Sequence, residues 1–217
     1  SAYILAEYAR SFGFGVPTGI DIAGESNGII PTPAWKQQAH SGADFNPEDR
    51  VWYYADTCFM GIGQGDVTAT PLQIARMTAA IANGGTLVTP HIANRIVDAQ
   101  GNVIEEITPV TTKVPVDPQH LADIRQGMYQ SVNFSDGAGI LANVGGVVIG
   151  GKTGTAQFGP INLATGKQNE HAWFTGFAPY DDPTFVVTVY FDLGVGGGKA
   201  APVAGAILRY ATENVTP

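Results

Sequence analysis

Cysteine is almost absent from the 217-residue sequence: Cys58 is the only one, so no disulfide can form within the chain and no cysteine-based metal cluster is available. The four histidines, His40, His91, His120 and His171, are scattered without metal-ligand spacing, so no metal or cofactor is expected. Charge is also scarce, at 14% of residues. It is lopsided as well, with 11 basic against 19 acidic side chains and a net charge of −8. A general nucleic-acid binder carries a basic patch, and none is visible, so nucleic acid is excluded as a partner class. No run of about 18 apolar residues occurs, which excludes a membrane-spanning helix within these residues. No signal peptide is visible either. The sequence starts at Ser1 in a helix-like segment rather than at Met, and it is expected to be a piece of a longer product.

Glycine and proline are plentiful, 28 and 14, and 44% of residues are hydrophobic. That mixture describes a turn-rich folded protein with a packed core. Residues 2–12 place apolar side chains at helical spacing and stop at Gly13. Residues 13–50 are rich in Gly, Pro, Asn and Asp and are expected to be a long ordered loop. A second helix has Thr70 as its cap, Pro71 in its first turn, the apolar face of LQIARMTAAIA and a stop at Asn83-Gly84-Gly85. Short strands with a turn at Gln100-Gly101-Asn102 follow. A third helix opens at Asp117-Pro118 and runs to about Val132, and GAGILAN makes a short helical turn. GVVIGGKTGTAQ, HAWFTGFAPY and PTFVVTVYFDL are strand candidates, and AAPVAGAILRYATEN is a closing helix. Helices, then antiparallel strands, then a terminal helix describe an α+β fold.

Residues 146–157, GVVIGGKTGTAQ, admit two chemistries. Gly146, Gly151, Lys152 and Thr153 satisfy the phosphate-loop pattern G-x-x-x-x-G-K-[ST]. Lys152, Thr153 and Gly154 also satisfy the K-T-G element of penicillin-interacting serine enzymes. A phosphate loop needs an open turn that leads into a helix N-terminus. Here the variable positions include Val147, Val148 and Ile149, three β-branched residues suited to a strand. Downstream, Gly154, Gly159 and Pro160 discourage a helix. The nucleotide reading therefore fails. On an outer strand, the Lys152 ammonium and the Thr153 and Thr155 hydroxyls suit an anionic ligand, and Gly154 lets it approach closely. A backbone N–H of the same strand suits an oxyanion. A solvated surface strand is the competing explanation of the triplet.

Longer blocks separate the two. Residues 13–35, GFGVPTGIDIAGESNGIIPTPAW, resemble the T-G-I-D segment of the transpeptidase domain of class B penicillin-binding proteins. Residues 60–92 look like that family's I-G-Q-G-x-x-x-x-T-P-L-Q-x-A segment, GGKTGTAQ matches its K-T-G strand, and HAWFTGFAPYDDP resembles the strand and turn after it. The blocks stand in family order, cover most of the chain and look closest to elongation-type members.

The resemblance implies serine acyl transfer on peptidoglycan, with the D-Ala-D-Ala end of a stem peptide as donor and β-lactams as its mimics. It assigns Lys152 to the electrostatics of the site and Thr153 and Thr155 to the substrate carboxylate. The Thr155 backbone N–H becomes one half of an oxyanion hole. Gly154 and Trp173 join them as substrate-contacting residues, although Trp173 and Phe174 also suit a strand core. It also implies an extracytoplasmic location, periplasmic or at the outer face of the membrane.

Two elements are missing. The family nucleophile lies in S-x-x-K, yet Ser1, Ser11, Ser26, Ser41, Ser131 and Ser135 are followed three positions on by Ile, Phe, Ile, Asp, Phe and Ala. Ser131-Val132-Asn133 fits S-x-N by letters, but the family element precedes T-G-I-D. The expectation is that residues 1–217 form the C-terminal portion of one transpeptidase domain, inactive alone, with the nucleophile supplied by an N-terminal portion in the same or another chain. Two alternatives stay open: a non-catalytic β-lactam-sensing module and a serine β-lactamase fragment. Gln64 lies in a Gly-rich turn that either borders the cleft or is purely conformational. His171 is expected to be structural or solvent-exposed rather than a general base, and Asp21 and Glu25 to organise loops. The glycines of residues 194–202 fit a turn into the last helix rather than a phosphate loop.

Overall fold

The computed structural model describes residues 1–194 and 197–216. Helices α1 (Ala2–Ser11), α2 (Pro33–Ala39), α3 (Tyr54–Gly61) and α4 (Pro71–Ala82) come first. Four short strands follow, β1 (Thr86–Val88), β2 (Arg95–Val97), β3 (Val103–Glu106) and β4 (Thr111–Lys113). Next are α5 (Pro118–Asn133), the long strands β5 (Gly150–Asn162), β6 (Lys167–Ala178) and β7 (Phe185–Gly194), and α6 (Ala200–Asn214). β5, β6 and β7 form an antiparallel sheet in that order, β1 pairs with β4, and β2 pairs with β3. The α+β expectation holds.

Local chemistry explains most of these elements. Thr70 and Gln73 form a reciprocal cap on α4: Gln73 N donates to Thr70 Oγ1 at 3.1 Å, and Thr70 N donates to Gln73 Oε1 at 2.9 Å. The Gln73 side chain is only 1% exposed, and its amide also donates to the carbonyls of Val16 and Asn27, both at 2.8 Å. Every polar atom of this buried side chain is therefore satisfied, and α4 is tied to the loop after α1. Helix α2 lies inside the stretch expected to be loop. Thr32 caps it by accepting from Trp35 N at 3.1 Å, and Pro33 fills its first turn. Helix α3 is likewise not marked by any long apolar period.

The central sheet lies between two helical layers. On one face, Phe174 and Ala178 pack with Ile149, Val132, Ala142 and the small-residue stripe Ala200, Ala201, Ala204 and Leu208 of α6, all fully buried. On the other, Phe177 packs with Ala80 and Ile81 of α4 and with Leu121 and Met128 of α5. A thinner third cluster joins Ala2 and Ala6 of α1 to Phe14, Ile30 and Met60.

Two sequence expectations shift. Strand β5 begins at Gly150, after the β-branched run: Val148 and Ile149 precede the ladder, and their carbonyls accept from Tyr180 N and the Asn133 side chain. The hairpin formed by β5 and β6 runs through Gly159 and Pro160 as far as Asn162 and Lys167, because a register shift between Phe158 and Asn162 absorbs them. The expected turn into the last helix is a short 3₁₀ segment, Gly197–Lys199, while Val195 and Gly196 lie outside the described residues.

Candidate active site

Strand β5 is the outer strand of its sheet, and from Gly150 to Phe158 its register against β6 is regular. Alternation places Lys152, Gly154 and Ala156 on one face and Thr153 and Thr155 on the other. Because the strand is at the edge, residues of both parities border the same hollow. Lys152, Thr153, Gly154 and Thr155 line a cavity of about 860 Å³, together with the turn Ile62–Gly65, α4 residues and Trp173. All five residues singled out from sequence therefore meet on one concave surface. A solvated convex strand is not what is seen.

The Lys152 ammonium donates to the Thr153 carbonyl at 2.5 Å. The Gln64 amide donates to the Thr155 carbonyl at 3.2 Å, across 91 residues of sequence. Both carbonyls therefore point away from β6, along the outer edge. In a strand the N–H of a residue points to the same side as its C=O, so the Thr155 N–H lies along that edge too. Gly154 sits beside Trp173: a Cβ there would lie 3.2 Å from the Trp173 Cβ.

Of the aromatic pair on β6, Phe174 is fully buried in the core, whereas Trp173 is half-buried, borders the cavity and packs against Tyr190 at 4.4 Å between ring centroids. The two readings of these residues thus divide between neighbours, as alternation requires.

Beneath Lys152 runs a chain of hydroxyls drawn from three separate elements. Thr175 is the cross-strand partner of Lys152, and its hydroxyl lies 2.8 Å from both Thr78 of α4 and Thr188 of β7. The Thr78 hydroxyl donates to the Ile74 carbonyl at 2.8 Å. Its single proton is committed there, so Thr175 donates to Thr78 and Thr188 donates to Thr175. This relay pins α4 to the sheet floor. A single threonine on each of β6 and β7 was the available signal, but a link to α4 needs the tertiary structure.

His171 lines the same cavity and is held by β7. It lies at a register shift between β6 and β7, and its Nδ1 is 2.6 Å from the Asp192 carbonyl. A carbonyl only accepts, so Nδ1 carries the proton. The Tyr190 hydroxyl donates to Asp192 Oδ1 at 2.9 Å. Burial, and then the Asp192 carboxylate, push the Tyr190 hydroxyl above its ordinary pKa. Asp21 and Glu25 organise loops. Asp21 accepts from the N–H groups of Ile92 and Ala93 at 2.7 and 2.8 Å, and these bonds hold its carboxyl below the usual range. Glu25 accepts from Gly19 N at 3.0 Å. Burial raises its pKa, but hydrogen bonds from Thr18 and Gly19 outweigh that and hold it low.

Ser131-Val132-Asn133 is structural. Val132 is core, and the Asn133 side chain donates to the Tyr129 and Ile149 carbonyls at 2.8 and 2.9 Å. The Ser131 hydroxyl is sealed from solvent and has no hydrogen-bond partner, so it offers no accessible nucleophile. Among the described residues, no group of His, Cys, Asp and Glu could hold a metal ion, and no helix is long and apolar enough to cross a membrane.

Comparison with known proteins gives this geometry a context. The model of the penicillin-binding protein transpeptidase domain matches residues 3–209. The peptidoglycan D,D-transpeptidase MrdA of Haemophilus influenzae is 37% identical over 95% of this chain and 32% of its own length. The stage V sporulation protein D of Bacillus subtilis is 37% identical over 94% of this chain and 30% of its own. Among solved structures, Helicobacter pylori PBP2 in complex with MreC superposes with a TM-score of 0.75 at 30% identity, covering 98% of this chain and 36% of that one. Pseudomonas aeruginosa PBP2 in complex with WCK 5153 gives a TM-score of 0.74 at 29% identity, covering all of this chain and 44% of that one. The chain spans about a third of the length of the curated relatives it matches. With the K-T-G strand at the edge of a concave wall and the match running almost from end to end, the chain belongs to the penicillin-binding protein transpeptidase domain family.

Proposed function

We propose that these residues are the substrate-carboxylate and oxyanion wall of an elongation-type peptidoglycan D,D-transpeptidase acting outside the cytoplasmic membrane. The observation that carries this reading is the meeting of Lys152, Thr153, Gly154, Thr155 and Trp173 on one cavity beside an outer strand. In this role the Thr153 and Thr155 hydroxyls hold the terminal carboxylate of a D-Ala-D-Ala donor or of a β-lactam, and the Lys152 ammonium supplies a favourable field. The Thr155 N–H stabilises the oxygen that becomes negative as the carbonyl turns tetrahedral. A serine then carries the acyl group until the amine of a second stem peptide takes it.

The serine lies outside residues 1–217, in the N-terminal portion of the same domain. None of the six serines present has lysine three positions on, and Ser131 is sealed. Labelled penicillin added to the longest natural chain that contains these residues should acylate one serine, mapped by mass spectrometry to a position before Ser1. A label on any of the six serines here overturns the assignment. In that same protein, Thr155→Val keeps that N–H but removes a hydroxyl assigned to the carboxylate, so initial penicillin binding should weaken about 10- to 100-fold, the roughly 1.5–3 kcal/mol of a hydrogen bond to a charged group.

The absence of S-x-x-K within these residues also supports a second reading, a β-lactam-binding module without turnover. It predicts no labelled serine, but saturable, reversible binding of penicillin.

A further inference from the structure

The Gln64 side chain donates a hydrogen bond across the cavity mouth to the K-T-G strand, reaching the Thr155 carbonyl from the turn after α3. That turn is tightly specified. Gly63 and Gly65 on either side adopt φ of +72° and +69°, which disfavour any side chain. A Cβ on Gly65 would lie 3.2 Å from the Phe59 Cβ, and Gln64 N closes the turn on the Phe59 carbonyl at 2.9 Å. The turn thus holds Gln64 in one direction, towards β5.

An outer strand needs such a tether. β5 is hydrogen-bonded to a neighbouring strand on one side only, so ladder bonds fix its inner edge and leave its outer edge to other groups. Along that edge Lys152 holds the Thr153 carbonyl and Gln64 holds the Thr155 carbonyl. The C=O and N–H of Thr155 share that edge, so fixing the first sets the direction of the second. We infer that Gln64 is a positioning residue for acyl transfer: by holding the Thr155 carbonyl it aims the Thr155 N–H at the oxyanion. This rests on the reading under Proposed function. It gives the glycine-flanked Gln a task, which a purely conformational turn would not need.

The test uses Gln64→Met, which keeps length and loses the donor, and Gln64→Glu, which sets a carboxylate against a carbonyl. Both are made in the longest natural chain containing these residues. Penicillin acylation is resolved by stopped flow into the initial binding constant and the acylation rate constant. The expected result is a roughly ten-fold slower acylation step with initial binding and melting temperature unchanged, because small misplacements of a donor cost rate rather than affinity. A boronic acid that forms a tetrahedral adduct should weaken by a similar factor, while the D-Ala-D-Ala dipeptide should not. The Thr155 carbonyl ¹³C shift should move in both variants.

Unchanged acylation in Gln64→Met overturns the inference and leaves the functional reading standing. A fall in binding, rate and melting temperature together also overturns it, because that marks a merely structural residue. A wild-type chain that penicillin never acylates removes the functional reading, and the inference with it.

Discussion

The two sides of this molecule are finished to different degrees. Beneath α6, the sheet face is sealed: Phe174, Ala178, Ala200, Ala201, Ala204 and Leu208 are all at 0% exposure. Around α1, the cluster of Ala2, Ala6, Phe14, Ile30 and Met60 is smaller, at 0–9%, while Tyr3, Ile4 and Tyr8 of the same helix are 56%, 54% and 52% exposed. The sealed side is closed by residues that the chain itself supplies. The open side contributes Leu5, Ala9 and Phe14 to the wall of the candidate site. A rigid back and an open front are what the proposed assignment needs, because the front must receive a partner portion that brings the serine.

The sharpest way to break the comparison is to hollow out the sealed side. Phe174→Ala should destabilise the fold by about 3–5 kcal/mol, since the ring is fully buried between sheet and α6. Urea unfolding measures this directly. The matched change on the open side, Ile4→Ser, should alter stability by less than about 0.5 kcal/mol in the same measurement, because Ile4 is 54% exposed. If both changes destabilise equally, the contrast between the two sides is wrong.

Next in size comes close packing at α6. A Cβ on Gly205 would lie 2.3 Å from the Ala142 carbonyl oxygen, a backbone atom that cannot swing aside. Gly205→Ala should therefore cost about 1–3 kcal/mol despite its better helix propensity. On the cavity side, Thr175→Val removes the middle of the hydroxyl relay, leaving Thr188 without its acceptor and Thr78 without its donor. A loss of about 1–3 kcal/mol is expected. The double mutant with Thr78→Val should cost less than the sum of the single changes, because the buried partner has then been removed as well.

The same contrast governs how much was legible in the sequence. Helix α4 was readable because its cap is local: Thr70, Pro71 and Gln73 are neighbours. The candidate-site residues were readable because Lys152–Thr155 are contiguous and Trp173 follows in the next strand. Helix α2 was not, because seven residues give too little periodicity to stand out from a Gly- and Pro-rich background. The onset of β5 was placed too early, because β-branched residues mark extended backbone but not which residues find a ladder partner. The tether from Gln64 to Thr155 and the Thr78–Thr175–Thr188 relay join elements 91 and 97 residues apart. No local pattern encodes those pairings.

A small, pH-dependent effect lies on the open side, at the link between α2 and α3. Lys36 Nζ sits 2.8 Å from Asp56 Oδ2, with side-chain exposures of 11% and 23%. Burial pushes the Asp56 carboxyl up, but the Lys36 ammonium and the Tyr53 N–H outweigh it and hold the group below its ordinary value. A carboxyl depressed in the folded state binds its proton more weakly there than in the unfolded chain. Its contribution is therefore complete above the unfolded pKa and fades as pH falls through the folded one. Asp56→Asn should lower stability by about 0.2–1 kcal/mol at neutral pH. The gap between the two proteins should begin to narrow below about pH 4, the ordinary aspartate value, and close only once the pH has fallen through the depressed pKa of the folded protein. Urea midpoints taken from pH 7 down to pH 3 decide the matter: a gap that widens on acidification would mean that Asp56 is not the proton acceptor this geometry makes it.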